Sequence, residues 1–263
     1  MLKQFLSNFP EDSFYSSDIK YLEKIIQGIE KASQSTVHII GLARECEQAL
    51  TYNILRIERL RKYFKDSSVF ILENDSQDRT KSILTKYAKE RNVSISLNTF
   101  DKVRHPQNKS TQRMIDMVFY RNLTLESIPK CDYVVIYDMD IDGGFSYEGV
   151  MSSIGYNLDC VGSNSLLINN GYIYYDTFAL RYNNLTDKQK HEIVLTNREL
   201  PFQVESCFGG LGLYKYETLQ NVKYDSYDCE HVCLHNEIRK NGYSVWMNPA
   251  QIVLYDKTRY CVI

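Results

Sequence analysis

The stretch Tyr133-Val-Val-Ile-Tyr137, followed at once by Asp138-Met-Asp-Ile-Asp142-Gly-Gly, decides the fold. An unbroken run of β-branched and aromatic residues is typical of a strand that is buried on both faces of a sheet. Aspartates at alternate positions follow it directly. Because ligands of open α/β sheets bind at the carboxyl ends of the strands, the stretch predicts a buried strand that delivers acidic side chains to a binding site.

Strands and helices alternate on both sides of this stretch. Short apolar runs predict strands at 36–42, 68–72 and 93–97, and apolar residues at helical spacing predict helices at 50–64, 79–91 and 112–128. Such alternation favours a mostly parallel sheet with helices on both faces. The predicted fold class is therefore α/β, in one Rossmann-like domain.

Apolar periodicity also marks faces of two helices. The segment 1–34 is predicted to be helical and to pack on the outside of the core through one stripe, made of Ile19, Leu22, Ile25, Ile26 and Ile29. The helix at 112–128 carries the apolar residues Met114, Ile115, Val118, Phe119 and Leu123.

Charge and composition exclude several classes of function. The net charge is −2, from 31 basic and 33 acidic residues, so no general attraction to nucleic acid is expected. The sequence has no run of 18 apolar residues and no signal-peptide pattern at its start, so we expect a cytoplasmic protein without a membrane span. The seven scattered cysteines suit a reducing compartment.

The three aspartates Asp138, Asp140 and Asp142 predict a metal site. Carboxylates so close together repel one another unless a cation neutralises them. Mg²⁺ and Mn²⁺ prefer oxygen ligands and are commonly shared between carboxylates and substrate phosphates. The alternative is a solvated acidic turn, because Asp-Gly is ordinary turn chemistry. The position directly after a buried strand favours the metal.

A series of sequence blocks, taken in order, resembles a known group of enzymes. A strand, a polar Glu-Asn-Asp-Ser-x-Asp-x-Thr turn at 73–80, a helix with Tyr120-Arg121-Asn122 and a strand running into Asp-x-Asp resemble the GT-A glycosyltransferases. The second half is similar to the cryptococcal capsular mannosyltransferase family in three further blocks, which are Tyr175-Asp176-Thr177-Phe-Ala-Leu-Arg181, Val204-Glu-Ser-Cys207-Phe-Gly209-Gly210 and Cys229-Glu230-His231 with Cys233. The resemblance spans about residues 36–245.

The resemblance implies a metal-dependent transferase that moves a hexose or related sugar from a GDP- or UDP-sugar to a hydroxyl of a glycan acceptor. It implies a GT-A domain over 36–263, with a nucleotide-binding half at 36–142 and an acceptor-binding half at 143–263, after a helical extension at 1–35. Asp138 and Asp140 would bind Mn²⁺ or Mg²⁺ and the diphosphate. The nucleoside would lie along Gly41, Ala43, Arg44, Glu73 and Asp75. Arg121 would sit near the phosphates, and the sugars would face Asp176, Gly209, Gly210 and Glu230.

Two carboxylates are the candidate catalytic groups. Glu230 begins a predicted helix and would act as a general base on the acceptor hydroxyl. A carboxylate in a first helical turn is also favoured by the helix dipole alone, and that alternative stays open. Asp176, beside Tyr174 and Tyr175, would hydrogen-bond a sugar hydroxyl, with a plain surface turn as its alternative. A zinc site at 229–235 is disfavoured, because on a helix the cysteines and histidines there lie on different faces.

Two rival functions remain. A nucleotidyltransferase would have a similar sheet and metal, but such enzymes carry a glycine-rich basic loop after the first strand, and Gly41-Leu-Ala-Arg-Glu has a single glycine. A non-catalytic sugar-binding domain would keep the fold without the chemistry. The intact acidic cluster weighs against it, because unneutralised carboxylates are costly.

Overall fold

Nine strands form one sheet in the computed structural model, which describes residues 19–91, 93–105, 110–168, 172–196 and 200–255. The strands are β1 Thr36–Ala43, β2 Asp66–Asn74, β3 Ser94–Asn98, β4 Tyr133–Asp138, β5 Cys160–Ile168, β6 Tyr172–Tyr174, β7 Phe202–Gln203, β8 Leu211–Lys215 and β9 Val245–Tyr255. The helices are α1 Ile19–Ala32, α2 Glu47–Arg61, α3 Thr80–Arg91, α4 Thr111–Leu125, α5 Tyr147–Tyr156, α6 Asp187–Thr196 and α7 Glu230–Lys240, with a 3-10 helix at Tyr216–Leu219.

The sheet is mostly parallel. Its order is β3-β2-β1-β4-β8-β5-β9-β7, with β6 paired to β5. β1 pairs in parallel with both β2 and β4, whereas β8 runs antiparallel between β4 and β5, and β9 runs parallel to β5. The carboxyl ends of β1, β2, β4, β5 and β9 therefore lie at one edge. The predicted α/β class, with a mostly parallel sheet flanked by helices, is confirmed.

Alternation along the central strand divides the core into two layers. In β4, Tyr133, Val135 and Tyr137 join one buried cluster, whereas Val134 and Ile136 join a second. Side chains of α1, α2, α3 and α5 complete the first cluster, and those of α4 and α7 pack in the second. Because successive strand residues point to opposite faces, a continuous apolar strand supplies both layers at once.

The predicted stripe on α1 is largely wrong. Ile19, Ile26 and Ile29 are exposed, and the buried face is Tyr21, Ile25, Gly28 and Ala32. A Cβ placed on Gly28 would lie 1.8 Å from the Met151 carbonyl oxygen. The backbones of α1 and α5 therefore touch, so that only small residues fit at their closest point and the larger isoleucines turn away.

The face of α4 also differs from the one that its apolar residues mark. Ile115 and Phe119 are exposed, whereas the polar residues Asp116, Arg121 and Thr124 are buried. Apolar periodicity is incomplete here because the inner face of α4 combines apolar contacts, such as those of Val118 and Leu125, with ion pairs and hydrogen bonds of its buried polar residues.

Three further predictions from the sequence concern the cysteines, membrane-spanning helices and the division of the chain. The six cysteines in the described ranges are free thiols. No helix in those ranges is both long and apolar enough to cross a bilayer. The division of the chain at residues 35/36 and 142/143 stays a prediction, and residues 1–18 and 256–263 of the predicted units lie outside the described residues.

Candidate active site

A cavity of about 480 Å³ opens at the edge where the parallel strands end. Seven of the predicted site residues line it, and these are Arg44, Arg121, Asp138, Asp140, Asp176, Gly210 and Glu230. Six others do not, and these are Gly41, Ala43, Glu73, Asp75, Asp142 and Gly209. Because parallel strands end at the same edge of the sheet, residues that are far apart in the sequence meet in this cavity. We refer to this tendency of binding sites to form at strand ends as the strand-end rule.

Asp138 and Asp140 place two carboxylates in this cavity. Loss of solvent raises the pKa of Asp138, and the guanidinium of Arg121 opposes that rise. Loss of solvent between the cavity walls, together with the charge of Asp138, raises the pKa of Asp140 to about 6, although Asp140 reaches the surface. Both causes, loss of solvent and the nearby negative charge, disfavour the ionised carboxylates, and a bound cation would offset them.

The donor set fits a hard divalent cation. In the described ranges, no three His, Cys, Asp or Glu side chains are grouped so that they could hold a metal ion by themselves. Mg²⁺ is usually held by one or two carboxylates together with substrate phosphates, which matches a pair such as Asp138 and Asp140. Asp142 is not part of the cavity wall, and its charge contributes to the raised pKa of Asp140.

Arg121 is buried between two carboxylates. Its Nη2 donates to Asp138 Oδ1 at 3.0 Å, and its Nε donates to Glu230 Oε1 at 3.3 Å. The guanidinium also lies over the rings of Phe208 and Tyr224, at 5.1 and 5.9 Å from their centroids. These contacts direct the guanidinium to the protein's own acids, a role that sequence reasoning did not anticipate.

Glu230 occupies the first turn of α7, as the sequence predicts. The residue is buried, and its Oε2 accepts a weak hydrogen bond from Cys229 Sγ at 3.7 Å. The next residue, His231, stacks on Phe208 with ring centroids 3.6 Å apart, and burial holds its pKa well below the usual range. Glu230 thus faces the cavity from a rigid, largely apolar wall.

Asp176 uses both carboxylate oxygens on backbone. Its Oδ1 accepts from Ala179 N at 3.2 Å, and its Oδ2 accepts from Gly209 N at 2.9 Å. Gly209 and Gly210 both have positive φ, +69° and +87°. Asp176 therefore fixes the turn that leads into β8, and Gly210 presents that turn to the cavity.

Several residues that are predicted to contact the nucleoside support the cavity wall. Glu73 Oε1 accepts from Ser76 N at 2.8 Å, and Asp75 Oδ1 accepts from Phe100 N at 2.9 Å. Asn74, between them, lines the cavity. Gly41 is a packing residue, because a Cβ there would lie 2.9 Å from the Tyr137 carbonyl oxygen.

Tyr255 lines the cavity and was missed by sequence reasoning. Its ring packs against Tyr175 with centroids 4.3 Å apart. Burial and the charges of Asp138 and Asp140 hold its pKa well above the usual range, so that the phenol is neutral beside the acidic pair. Tyr255 ends β9, and the strand-end rule would have found it if β9 had been recognised as a parallel strand.

Comparisons with solved structures show likeness to glycosyltransferases. Mannosyltransferase PcManGT from Pyrobaculum calidifontis, in complex with GDP-Man and Mn²⁺, matches with a TM-score of 0.56 and 11% identity over 89% of this chain and 65% of that chain. GalNAc-T7 with UDP, GalNAc and Mn²⁺ matches with a TM-score of 0.53 and 14% identity over 85% of this chain and 44% of that one. S. aureus TarS 1-349 in complex with UDP-GlcNAc matches with a TM-score of 0.52 and 13% identity over 84% and 58%.

The sequence comparisons add no family assignment. No protein family model matches the chain, and no curated protein matches it. The chain spans less than two thirds of the length of each of the three structural neighbours. At these identities the likeness establishes the fold, which is the GT-A fold of nucleotide-sugar glycosyltransferases that the sequence predicted.

Proposed function

We propose that the protein is a metal-dependent glycosyltransferase that moves a hexose or related sugar from a nucleotide-diphosphate sugar to a hydroxyl of a glycan acceptor. The observation that carries the proposal is one cavity, at the carboxyl ends of parallel strands, that is lined by Asp138 and Asp140 and also by Glu230. That edge is where α/β sheets bind nucleotides.

The cation would be Mn²⁺ or Mg²⁺, held by Asp138 and Asp140 together with phosphate oxygens of the donor. When bound, it would stabilise the negative charge that builds on the leaving nucleoside diphosphate. Two of the structural neighbours, PcManGT and GalNAc-T7, have Mn²⁺ in their complexes.

The chain's own residues would bind and orient the two substrates. Arg44, Arg104 and Arg113 line the cavity, and they would bind the donor phosphates because guanidinium groups match phosphate oxygens. Arg44 is oriented by a hydrogen bond from Nη2 to the Lys102 carbonyl oxygen at 2.8 Å. Glu230 would take the proton of the acceptor hydroxyl, as a general base must.

The donor is proposed to be a GDP- or UDP-sugar. The three sequence blocks that resemble the capsular mannosyltransferase family, and the GDP-Man in the PcManGT complex, put GDP-mannose first among the candidates. UDP-GlcNAc follows, because TarS is in complex with it. The likeness to the capsular family is itself part of the proposal.

Thermal melting tests the proposal against its two rivals. The protein is melted with Mn²⁺ and, in turn, UDP, GDP, CDP, dTDP and the matching triphosphates, because a ligand of the native state raises the melting temperature by mass action. Each nucleotide is then repeated with EDTA. The proposed transferase is stabilised by at least one diphosphate in the presence of the metal only.

Each other outcome identifies a rival. Stabilisation by triphosphates alone would favour the nucleotidyltransferase, and no stabilisation by any nucleotide would favour a non-catalytic sugar-binding domain. Release of the nucleoside diphosphate from the sugar form of the best ligand, with water as acceptor, then shows whether the bound donor reacts.

A further inference from the structure

We propose that Arg121 is a positioning residue that binds both Asp138 and Glu230. It would hold the carboxylate that is proposed to bind the metal and the carboxylate that is proposed to deprotonate the acceptor in a fixed arrangement. This inference rests on the proposed function for its catalytic meaning, and it assigns to Arg121 a role other than the phosphate contact that the sequence implied.

The first support is the geometry of one guanidinium between two carboxylates. Asp138 ends β4, and Glu230 begins α7, 92 positions later in the chain. Arg121, on α4, reaches both with different nitrogens, Nη2 at 3.0 Å and Nε at 3.3 Å. The planar fork of arginine places its donors in fixed directions, so a fixed guanidinium also fixes the positions of both acids.

The second support is the packing that holds the guanidinium still. Arg121 is 4% exposed. Phe208 and Tyr224 lie against its faces, with centroids at 5.1 and 5.9 Å. Cation–π contacts of this kind favour a buried arginine charge. A side chain enclosed by two rings and two acids has little freedom to swing toward a ligand.

The third support is charge. A buried guanidinium needs a nearby anion, and Arg121 has two. To contact a phosphate with the same nitrogens, Arg121 would have to release Asp138 or Glu230 and leave a carboxylate buried without its cation. Arg104 and Arg113 line the same cavity and are more exposed than Arg121, so a donor phosphate can approach them from solvent.

The catalytic test is a double-mutant cycle on turnover, with nucleoside diphosphate release from the best-binding donor sugar as the readout. Arg121→Lys keeps the charge but offers one compact ammonium in place of the fork, so it is expected to lower kcat about 100-fold with a much smaller change in the donor KM. In a Glu230→Gln background, Arg121→Lys should lower kcat by much less than 100-fold, because the part of its effect that acts through Glu230 is already lost and only the part through Asp138 remains.

Arg113→Lys is the matched control, since Arg113 lies on the same helix and lines the same cavity. Its effect is expected in the donor KM, and it should multiply with that of Glu230→Gln. If Arg121→Lys behaves in the same way as Arg113→Lys, Arg121 binds the donor and the positioning role is overturned. Independent, multiplying losses in kcat would also overturn it.

A second measurement does not need turnover or a folded Arg121 variant. In protein labelled with ¹⁵N-arginine, the Nε–H of Arg121 should exchange slowly with water and should shift and exchange faster in Glu230→Gln. An Nε–H that exchanges rapidly in the wild type and does not change in Glu230→Gln would show that Arg121 does not bind Glu230. A wild-type protein that binds no nucleotide and turns over no donor would reject the proposed function, and the positioning role with it, whereas the Nε–H result would still decide whether Arg121 binds Glu230.

Discussion

The carboxylate of Asp176 holds the backbone of Gly209, with Oδ2 at 2.9 Å from the amide nitrogen, while its other oxygen accepts from Ala179 N. The residue that the sequence marks as a sugar contact is therefore also the support of the turn at Gly209 and Gly210. Its carboxylate shapes the cavity wall whether or not it touches a substrate.

Asp176→Asn should destabilise the fold. An amide has one oxygen, and its NH₂ would face a backbone N–H donor, so one of the two hydrogen bonds is lost and a buried donor stays unpaired. The expected loss is about 1–3 kcal/mol in the free energy of unfolding, measured by urea denaturation. Asp225→Asn, at an exposed site, is the control and should change stability by less than about 0.5 kcal/mol. Equal effects of the two substitutions would contradict the role of Asp176 in holding the turn at Gly209.

Asp140→Asn should abolish metal-dependent release of nucleoside diphosphate with little loss of stability. The substitution removes a proposed metal ligand, but it also relieves the repulsion from Asp138 that helps to raise the pKa of Asp140 to about 6. Turnover and melting temperature are measured on the same preparation. Retained activity would exclude Asp140 from the site, and a large drop in melting temperature would show that its role is structural.

Gly210→Ala should combine backbone strain with a collision. The residue has φ +87°, and a Cβ there would lie 2.4 Å from the Tyr255 hydroxyl and 2.8 Å from Ile141 Cδ1. The strain alone is worth roughly 1–2 kcal/mol for a non-glycine residue. Gly242→Ala isolates that strain, because Gly242 has φ +88° and no atom near its Cβ position.

The part of the Gly210→Ala loss that comes from the Tyr255 hydroxyl should be relieved by Tyr255→Phe, whereas the contact with Ile141 remains. Without the hydroxyl, the nearest Tyr255 atom to that Cβ is the ring carbon at 3.4 Å, which is ordinary contact. Urea unfolding of the single and double variants gives the coupling. If Gly210→Ala costs no more than Gly242→Ala, or if Tyr255→Phe gives no recovery, the close contact between these two residues is wrong.

Acid should destabilise the protein below pH 6.5 through His38. Burial lowers the pKa of His38 from 6.5 to about 4, so in that interval the unfolded chain binds a proton that the native state does not. Stability from this group is complete above pH 6.5 and falls as the pH drops toward 4, by about 1.4 kcal/mol for each pH unit. The free energy of unfolding, measured with urea at pH 7.5, 6.5, 5.5 and 5, gives the slope.

His38→Asn isolates this contribution. An asparagine keeps a polar atom for the contact that His38 Nδ1 makes with Ser68 Oγ at 2.7 Å, but it does not titrate. The raised pKa of Asp140 acts in the opposite direction between pH 6 and 4, so the comparison with wild type matters more than the absolute slope. A variant with the same pH dependence as wild type would contradict the assignment.

Local sequence was enough to predict most of the architecture. The buried strand at 133–137, the helix that begins at Glu230 and the alternation of strands and helices all follow from side-chain period and apolar runs, which depend on neighbours in the chain. The strand-end rule then placed Asp138, Asp140 and Arg44 at one edge, because parallel strands end on the same side of a sheet.

Contacts between distant segments were beyond the reach of the sequence. The exposed isoleucines of α1 face outward because Gly28 meets the backbone of α5, and no pattern within α1 contains that contact. Tyr255 reaches the cavity because β9 lies parallel to β5, a pairing that becomes visible only in the sheet.

The sequence by itself determined the class of fold, the edge at which the cavity lies and the acidic motif there, since each follows from the local order of residue types. The tertiary structure alone decided what the charged side chains do. Arg121 contacts Glu230, 109 positions away, and Asp176 contacts Gly209, 33 positions away. The physical reason is that a buried charge must find partners in space, and those partners are set by how helices and strands pack rather than by which residues adjoin in the chain.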